Sequence, residues 1–249
     1  MKRLLAAGSG SIYQICQAFR NGESGRFHNP EFTLLEWYRV GFNLSQLMDD
    51  VDELISRLFC RQPLQPTQRI SYQEAFKQHT GLDPLDFSYQ SYCSFANDHH
   101  ISEAITLCGQ EHSLWLDFIF SHKVQAHLGE NALCMVYGYP ACFSSLARIN
   151  EQYPNTLDRV ELFIKGVELG NGYYELADAK EQTLRFEKER VVRQQQMQPV
   201  PALDHRLLGA LEFGLPDCSG IAIGLDRLLM LLSSSASIDD VLTFPIRYA

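Results

Sequence analysis

Apolar and polar positions alternate from Ile12 to Arg20 and again from Glu31 to Arg39, with Gly22, Gly25 and Asn29-Pro30 between the two runs. That pattern predicts an antiparallel hairpin with a long tip. In the second strand a period of two puts Phe32, Leu34, Glu36 and Tyr38 on one face and Thr33, Leu35 and Trp37 on the other. From Leu44 to Phe59 the apolar residues Leu44, Leu47, Met48, Val51, Leu54, Ile55 and Leu58 recur at helical spacing, after Asn43 as a starting cap. Arg61 to Thr67, with Pro63 and Pro66, breaks that helix. Ser71-Tyr72-Gln73-Glu74 has the form of a capping box opening the next one toward His79. Residues 81–131 read as helical with turns at Gly81 and Pro84, so a helical insert is expected at about 61–131.

Beyond the insert, the apolar run Leu133 to Tyr137 predicts a buried strand ending at Gly138-Tyr139-Pro140, and a long extended stretch begins near Leu157. Lys165-Gly166 can serve as a two-residue turn. Ala177 to Arg193 reads as a highly charged, solvated helix and Gln194 to Pro201 as a polar linker. Gly220 to Gly224 is a short apolar strand that turns into a helix carrying Arg227 in its first turn.

Composition narrows the class. With 249 residues, 45% of them hydrophobic, the chain can build one large α/β or α+β domain with its own core. A net charge of -9 argues against a broad nucleic-acid footprint and favours a small ligand or a protein partner. The seven cysteines are scattered and form no C-x-x-C pair, which predicts reduced thiols in a cytoplasmic protein. Met1 to Gly8 begins like a signal peptide, but its apolar run is too short, and no segment approaches membrane-spanning length.

Candidate chemistry gathers on the hairpin. Glu36 beside Tyr38 on a half-buried face calls for a cationic partner, and a substrate amine would serve. Arg20, Arg26 and His28 in the loop suit anionic oxygens, and Phe32 offers a flat face to a base. The Lys165-Gly166 turn places Phe163 opposite Glu168 with Glu161 diagonal to it; the acids are either a magnesium site or a solvent-facing pair. Glycines 170 and 172 would let backbone approach a ligand, with Asn171 and Glu175 lining a pocket. Arg227 could meet an anion, cover a stacked base or pair with an aspartate. Cys93, His99, His100, Cys108 and His112 match no common zinc spacing, so they are assigned to a packed helical insert.

In this order, F-R-N-G-E with H-N-P-E-F-T and G-I-A-I-G-L-D-R-L resemble the second and third signature motifs of class II aminoacyl-tRNA synthetases. R-F-H-N-P-E-F-T-L-L-E-W-Y and V-E-L-G-N-G-Y-Y-E-L are similar to the lysine-specific branch. M-K-R-L-L, W-Y-R after Glu36, P-D-C-S-G and Ala222 in place of a glycine lean toward its stand-alone paralogues that modify elongation factor P. The resemblance implies a single α+β catalytic domain over 1–249, an antiparallel sheet flanked by helices, using ATP and magnesium. It implies attack of an amino-acid carboxylate on the α-phosphate, then acyl transfer to a lysine of elongation factor P, with the protein supplying position and charge.

Matched to the motifs, Arg20 is the catalytic arginine on the α-phosphate and carboxylate. Asn21, Gly22, His28 and Asn29 shape the ATP loop. Phe32 and Arg227 sandwich adenine, Leu169 and Gly224 adjoin the nucleotide, and Glu161 and Glu168 hold magnesium. Glu36, Tyr38, Asn171 and Glu175 take the distal amine of lysine or β-lysine. Two departures are expected to matter. Gly22 stands where the motif has glutamate, with Glu23 next to it. The chain also begins downstream of the family's first motif, which leaves the family's homodimer without much of its interface. A lysyl-tRNA synthetase core and a non-catalytic nucleotide-binding paralogue are the alternatives; the acidic charge and the absence of an anticodon-binding domain favour a protein acceptor.

Overall fold

The two alternating runs pair as expected: β1 (Ile12–Phe19) and β2 (Glu31–Val40) are antiparallel, with Gln14 opposite Glu36 and Ile12 opposite Tyr38. A computed structural model of the chain describes residues 1–143 and 146–248. Among these, the later strands are β3 (Gln65–Ser71), β4 (Ala132–Pro140), β5 (Thr156–Ile164), β6 (Val167–Tyr174) and β7 (Cys218–Gly224). They complete one sheet in the order β1-β2-β7-β6-β5-β4-β3, antiparallel except between β3 and β4. The α+β class is therefore observed.

The strand β3 corrects the expectation of an insert that is helical from residue 61. Its Pro66 lacks an N–H, which argues against a central strand but is tolerated at a sheet edge or bulge. Here β3 is the edge, and its register shifts between Gln65 and Gln68.

The alternation in each strand then sorts two cores. Helix α1 (Lys2–Ala6) precedes the hairpin, and α2 (Leu44–Leu58) follows it, started by a capping box between Asn43 and Gln46. Leu47, Val51 and Ile55 of α2 pack with Met135, Val160, Leu162, Ile221 and Ile223 behind the sheet. On the front, α3 (Tyr72–Thr80), capped by Ser71 and Glu74, joins α4 (Tyr89–Asp98), α5 (Glu103–Cys108) and α6 (His112–Ile119). Tyr72, Phe76, Tyr92 and Trp115 from these helices bury Val136 and Phe163.

The charged run forms α7 (Ala179–Gln195), but it is not wholly solvated: Gln182 and Arg185 are buried, and Arg185 Nη1 donates to the Ala147 carbonyl at 2.7 Å. Two short helices carried no earlier expectation, α1 and α8 (His205–Phe213). They pack together through Leu5, Leu208 and Leu211 against Tyr38 and Cys218. The last helix, α9 (Leu225–Leu232), springs from β7 as expected. Between the α3–α6 cluster and the α1–α8 cluster, the middle of the front face lies open as a cleft.

Candidate active site

Strand pairing assembles the floor of this cleft from distant segments. One line across the sheet runs Gln14, Glu36, Ala222, Asn171, Glu161; the next runs Ile12, Tyr38, Gly220, Tyr173, Arg159. At the centre of these lines stand Ala222 and Gly220, and the Tyr38 ring and Glu175 carboxylate lie close over Gly220.

One end of the front face is a cavity of about 540 Å³ lined by Arg20, His28, Phe32, Glu168, Asn171 and Arg227, with Asn29, Leu169 and Gly224 also at its wall. The Arg20 guanidinium lies 5.7 Å from the Phe32 ring centroid and pairs with Glu23 at 3.2 Å. Glu23 thus faces the cavity, whereas Asn21 and Gly22 lie in the turn after β1 and are not among its lining residues. Gly22 answers to the turn, since its φ of +80° favours glycine. Asn29 is buried and shapes the loop from within: Nδ2 donates to the Glu31 carbonyl at 2.6 Å, and Oδ1 accepts from the Ile246 amide at 3.0 Å. Burial and the Arg227 charge hold His28 below the ordinary imidazole range, favouring the neutral ring. Arg227 does not pair with Asp226. Its Nε and Nη1 donate to the carbonyls of Phe27 at 3.0 Å and Glu168 at 2.7 Å, which fixes the guanidinium plane, while Asp226 accepts from the Thr33 amide at 2.7 Å.

Toward α1 the floor carries two carboxylates, Glu36 and Glu175. Glu36 accepts the Tyr38 hydroxyl at 2.8 Å on one oxygen and Gln14 Nε2 at 2.7 Å on the other, so two neutral donors aim a carboxylate that has no ion pair among the described residues. Glu175 is almost wholly buried and pairs with the Lys2 ammonium. Burial pushes its carboxyl up to about 7 against the pull of Lys2, with Glu36 adding to the rise. The same two acids and burial raise the Tyr38 hydroxyl, which keeps it a donor.

In the opposite direction sits the second pair of acids. Lys165 and Gly166 take φ values of +52° and +71°, and Phe163 faces Glu168 across the turn as expected. A register shift at Leu162/Phe163 then brings Glu161 opposite Asn171. Glu161 accepts the Tyr139 hydroxyl at 2.6 Å and pairs with Arg159. Burial raises its carboxyl and Glu168 adds to the rise, while Arg159 opposes it. One buried and one cleft-lining carboxylate that repel each other fit a divalent cation, since magnesium is commonly held by one or two carboxylates plus phosphate oxygens.

Gly170 lies in the cavity wall, and both glycines also lie close against a neighbouring strand. A Cβ on Gly170 would stand 2.1 Å from the Ala222 carbonyl oxygen, and one on Gly172 would stand 2.9 Å from that of Gly220. The close approach is to β7.

Four participants went unflagged in the sequence: Lys2, Gln14, Tyr139 and Arg159. The hairpin register carried a signal for Gln14, and the period of two carried one for Arg159 beside Glu161. A hollow of about 500 Å³ on the other side of β2 is lined by Trp37, Arg39 and Asp50, whose polar groups already satisfy one another.

Residues 1–247 match the family described as tRNA synthetases class II (D, K and N). The chain belongs to that family. Among curated relatives, it is 43% identical over 250 residues to the elongation factor P (R)-β-lysine ligase of Pasteurella multocida, covering 100% of this chain and 75% of the relative. The enzymes of the same name from Mannheimia succiniciproducens and Vibrio parahaemolyticus are 42% and 44% identical over 251 and 250 residues. Each alignment takes in 100% of this chain, and 75% and 76% of the respective relative. Within this class II domain, no helix among the described residues is long and apolar enough to cross a membrane.

Proposed function

We propose that this chain uses ATP to activate a lysine-like amino acid, (R)-β-lysine foremost, and ligates it to a lysine of elongation factor P in the cytoplasm. The observation that carries the reading is the shared floor: the Glu36 carboxylate, aimed by Tyr38 and Gln14, lies on the same sheet face as the arginine-lined cavity. A molecule with an ammonium at one end and a carboxylate at the other bridges the two.

Bound this way, the amino-acid carboxylate oxygen attacks the α-phosphorus and pyrophosphate leaves, giving the acyl-adenylate. The acceptor amine then attacks the acyl carbon, AMP leaves, and the new amide sheds a proton. Arg20, paired with Glu23 at 3.2 Å, takes the charge that grows on the α-phosphate. Phe32 and Arg227 hold the adenine ring from its two faces, with neutral His28 at the loop. Asn171 stands between the cavity and the amine pocket and orients the chain of the amino acid. Magnesium on Glu161 and Glu168 would offset phosphate charge. Selection of the amine is charge-assisted hydrogen bonding at Glu36, where Tyr38 remains protonated and donates.

The test is ATP–pyrophosphate exchange by the purified chain with magnesium and either (R)-β-lysine or α-lysine. Exchange with (R)-β-lysine, followed by labelling of elongation factor P and not of tRNA, is expected. Exchange with α-lysine and transfer to tRNA would make the chain a synthetase core instead, and no exchange with either would favour a nucleotide-binding paralogue without catalysis.

A further inference from the structure

The wall of the arginine-lined cavity carries the acids Glu23, Asp117, Glu168 and Asp226. Three of them are engaged. Glu23 pairs with Arg20 at 3.2 Å, Asp226 accepts the Thr33 amide at 2.7 Å, and Glu168 lies 3.9 Å from Arg227 Nη1. The Asp117 carboxylate has neither a hydrogen bond nor an ion pair among the described residues. Of the wall residues described, Asp117 alone comes from the α3–α6 cluster. Trp115, Leu116 and Ile119 bury the other side of α6 in that cluster, so the helix turns Asp117 outward and leaves it exposed. Directly beyond, the chain winds into a π-helix, Phe120–Val124, anchored by the stack of Phe120 on Tyr72 at 4.8 Å. Such segments are rare and recur at functional sites.

An unpaired acid repels the phosphates of ATP, so its place at this wall calls for a cation that arrives from solvent. The second half of the reaction brings one. A lysine side chain is an ammonium at neutral pH, and an acceptor lysine must enter a cavity whose Arg20 and Arg227 repel it.

We propose that Asp117 receives the ammonium of the acceptor lysine and takes a proton from its nitrogen as the amide forms. This rests on the ligase reading proposed above for the same cavity. The docked ammonium passes one proton to water, and its nitrogen attacks the acyl carbon. The bond from that carbon to the AMP oxygen breaks, with the electron pair leaving on the phosphate. The nitrogen's second proton passes to the Asp117 carboxylate and from there to water.

The experiment forms the (R)-β-lysyl adenylate on the purified chain and measures its discharge by elongation factor P and, separately, by hydroxylamine, for wild type and Asp117→Asn. Hydroxylamine is small and already neutral at pH 7, so it needs no receiving carboxylate. The readout is the ratio of the two rates within each protein, which cancels differences in adenylate content. In Asp117→Asn that ratio is expected to fall at least about tenfold. The deficit is expected to shrink at least about threefold from about pH 7 to about pH 9, where more of the acceptor lysine is neutral. A merely structural role would leave it constant. Asp117→Ala is expected to behave in the same way, and decides in place of Asp117→Asn should that variant not fold. An unchanged ratio or a deficit that ignores pH would overturn the proposal. So would loss of the adenylate itself in a folded variant, which would make Asp117 a nucleotide or metal ligand. A wild-type chain that forms no adenylate overturns the ligase reading and this role with it. One that forms adenylate and transfers equally well without Asp117 overturns this role alone.

Discussion

The front of the sheet holds two pairs of acids, Glu36 with Glu175 and Glu161 with Glu168, and they solve the same problem differently. In each pair one carboxylate is buried and raised in pKa, while its companion is less buried. Glu161 gets its compensation locally, from Arg159 two residues earlier on the same face of β5; that guanidinium sits 4.5 Å from the Tyr139 ring centroid and 5.9 Å from that of Tyr173. Glu175 gets its compensation from α1, an element outside the sheet that packs against α8, Tyr38 and Cys218. Local compensation is part of the strand and rigid, which suits a site for a small, geometrically demanding ion. Compensation from a separate helix can be changed without touching the sheet, which suits a site that must discriminate among amino acids.

The comparison breaks most readily at Arg159. Removing one partner of a buried ion pair costs about 3–5 kcal/mol, so Arg159→Met is expected to lose that much in urea unfolding; a loss under about 1 kcal/mol would mean that Glu161 does not depend on it. Next comes Glu175. Titrating near 7 when folded against an ordinary 4.5, it holds a proton in the folded chain that the unfolded chain has released between those values. Stability therefore falls as pH rises through this window, by roughly 3 kcal/mol in all. Glu175→Gln is expected to remove that part of the slope, and an unaltered pH profile would count against it.

Glu36→Gln sharpens the other half of the pair: loss of a charge-assisted bond is expected to weaken lysine-like ligands by roughly 1.5–3 kcal/mol with ATP affinity unchanged. Equal affinity for the amino acid in that variant would take Glu36 out of the pocket. The smallest effect is a control behind the sheet. Asn43→Ala removes the α2 cap and should cost about 1 kcal/mol of stability while both ligands bind as before; altered binding there would show that stability and pocket geometry are not separable.

What the sequence disclosed follows the range of each interaction. The hairpin, the Asn43 and Ser71 caps and the Lys165-Gly166 turn are local signals, and each stands where it was expected. The Glu36–Tyr38 face needed only the strand period. The edge strand β3 was hidden by Pro66, whose missing donor faces no penalty at a bulged edge, and α1 and α8 are too short to declare themselves because each depends on the other's packing. Gly170 and Gly172 pointed to close approach, but a sequence cannot say whether to ligand or to strand. The partnership of Lys2 with Glu175 lacks any local pattern. It exists only after β1, β2, β6 and β7 are side by side.

That order of assembly has a consequence for the chain as it is made. β2 finds its second neighbour only in β7, and Asn29 in the loop before β2 waits for the amide of Ile246. At 5–20 residues per second, synthesis reaches β7 roughly ten to forty seconds after β2 has left the ribosome. For that interval the hairpin carries its signature residues with no floor beneath them. A nascent chain is therefore expected to be unable to capture nucleotide until β7 and the segment around Ile246 emerge, which couples the birth of the binding site to the synthesis of elements up to 217 residues away.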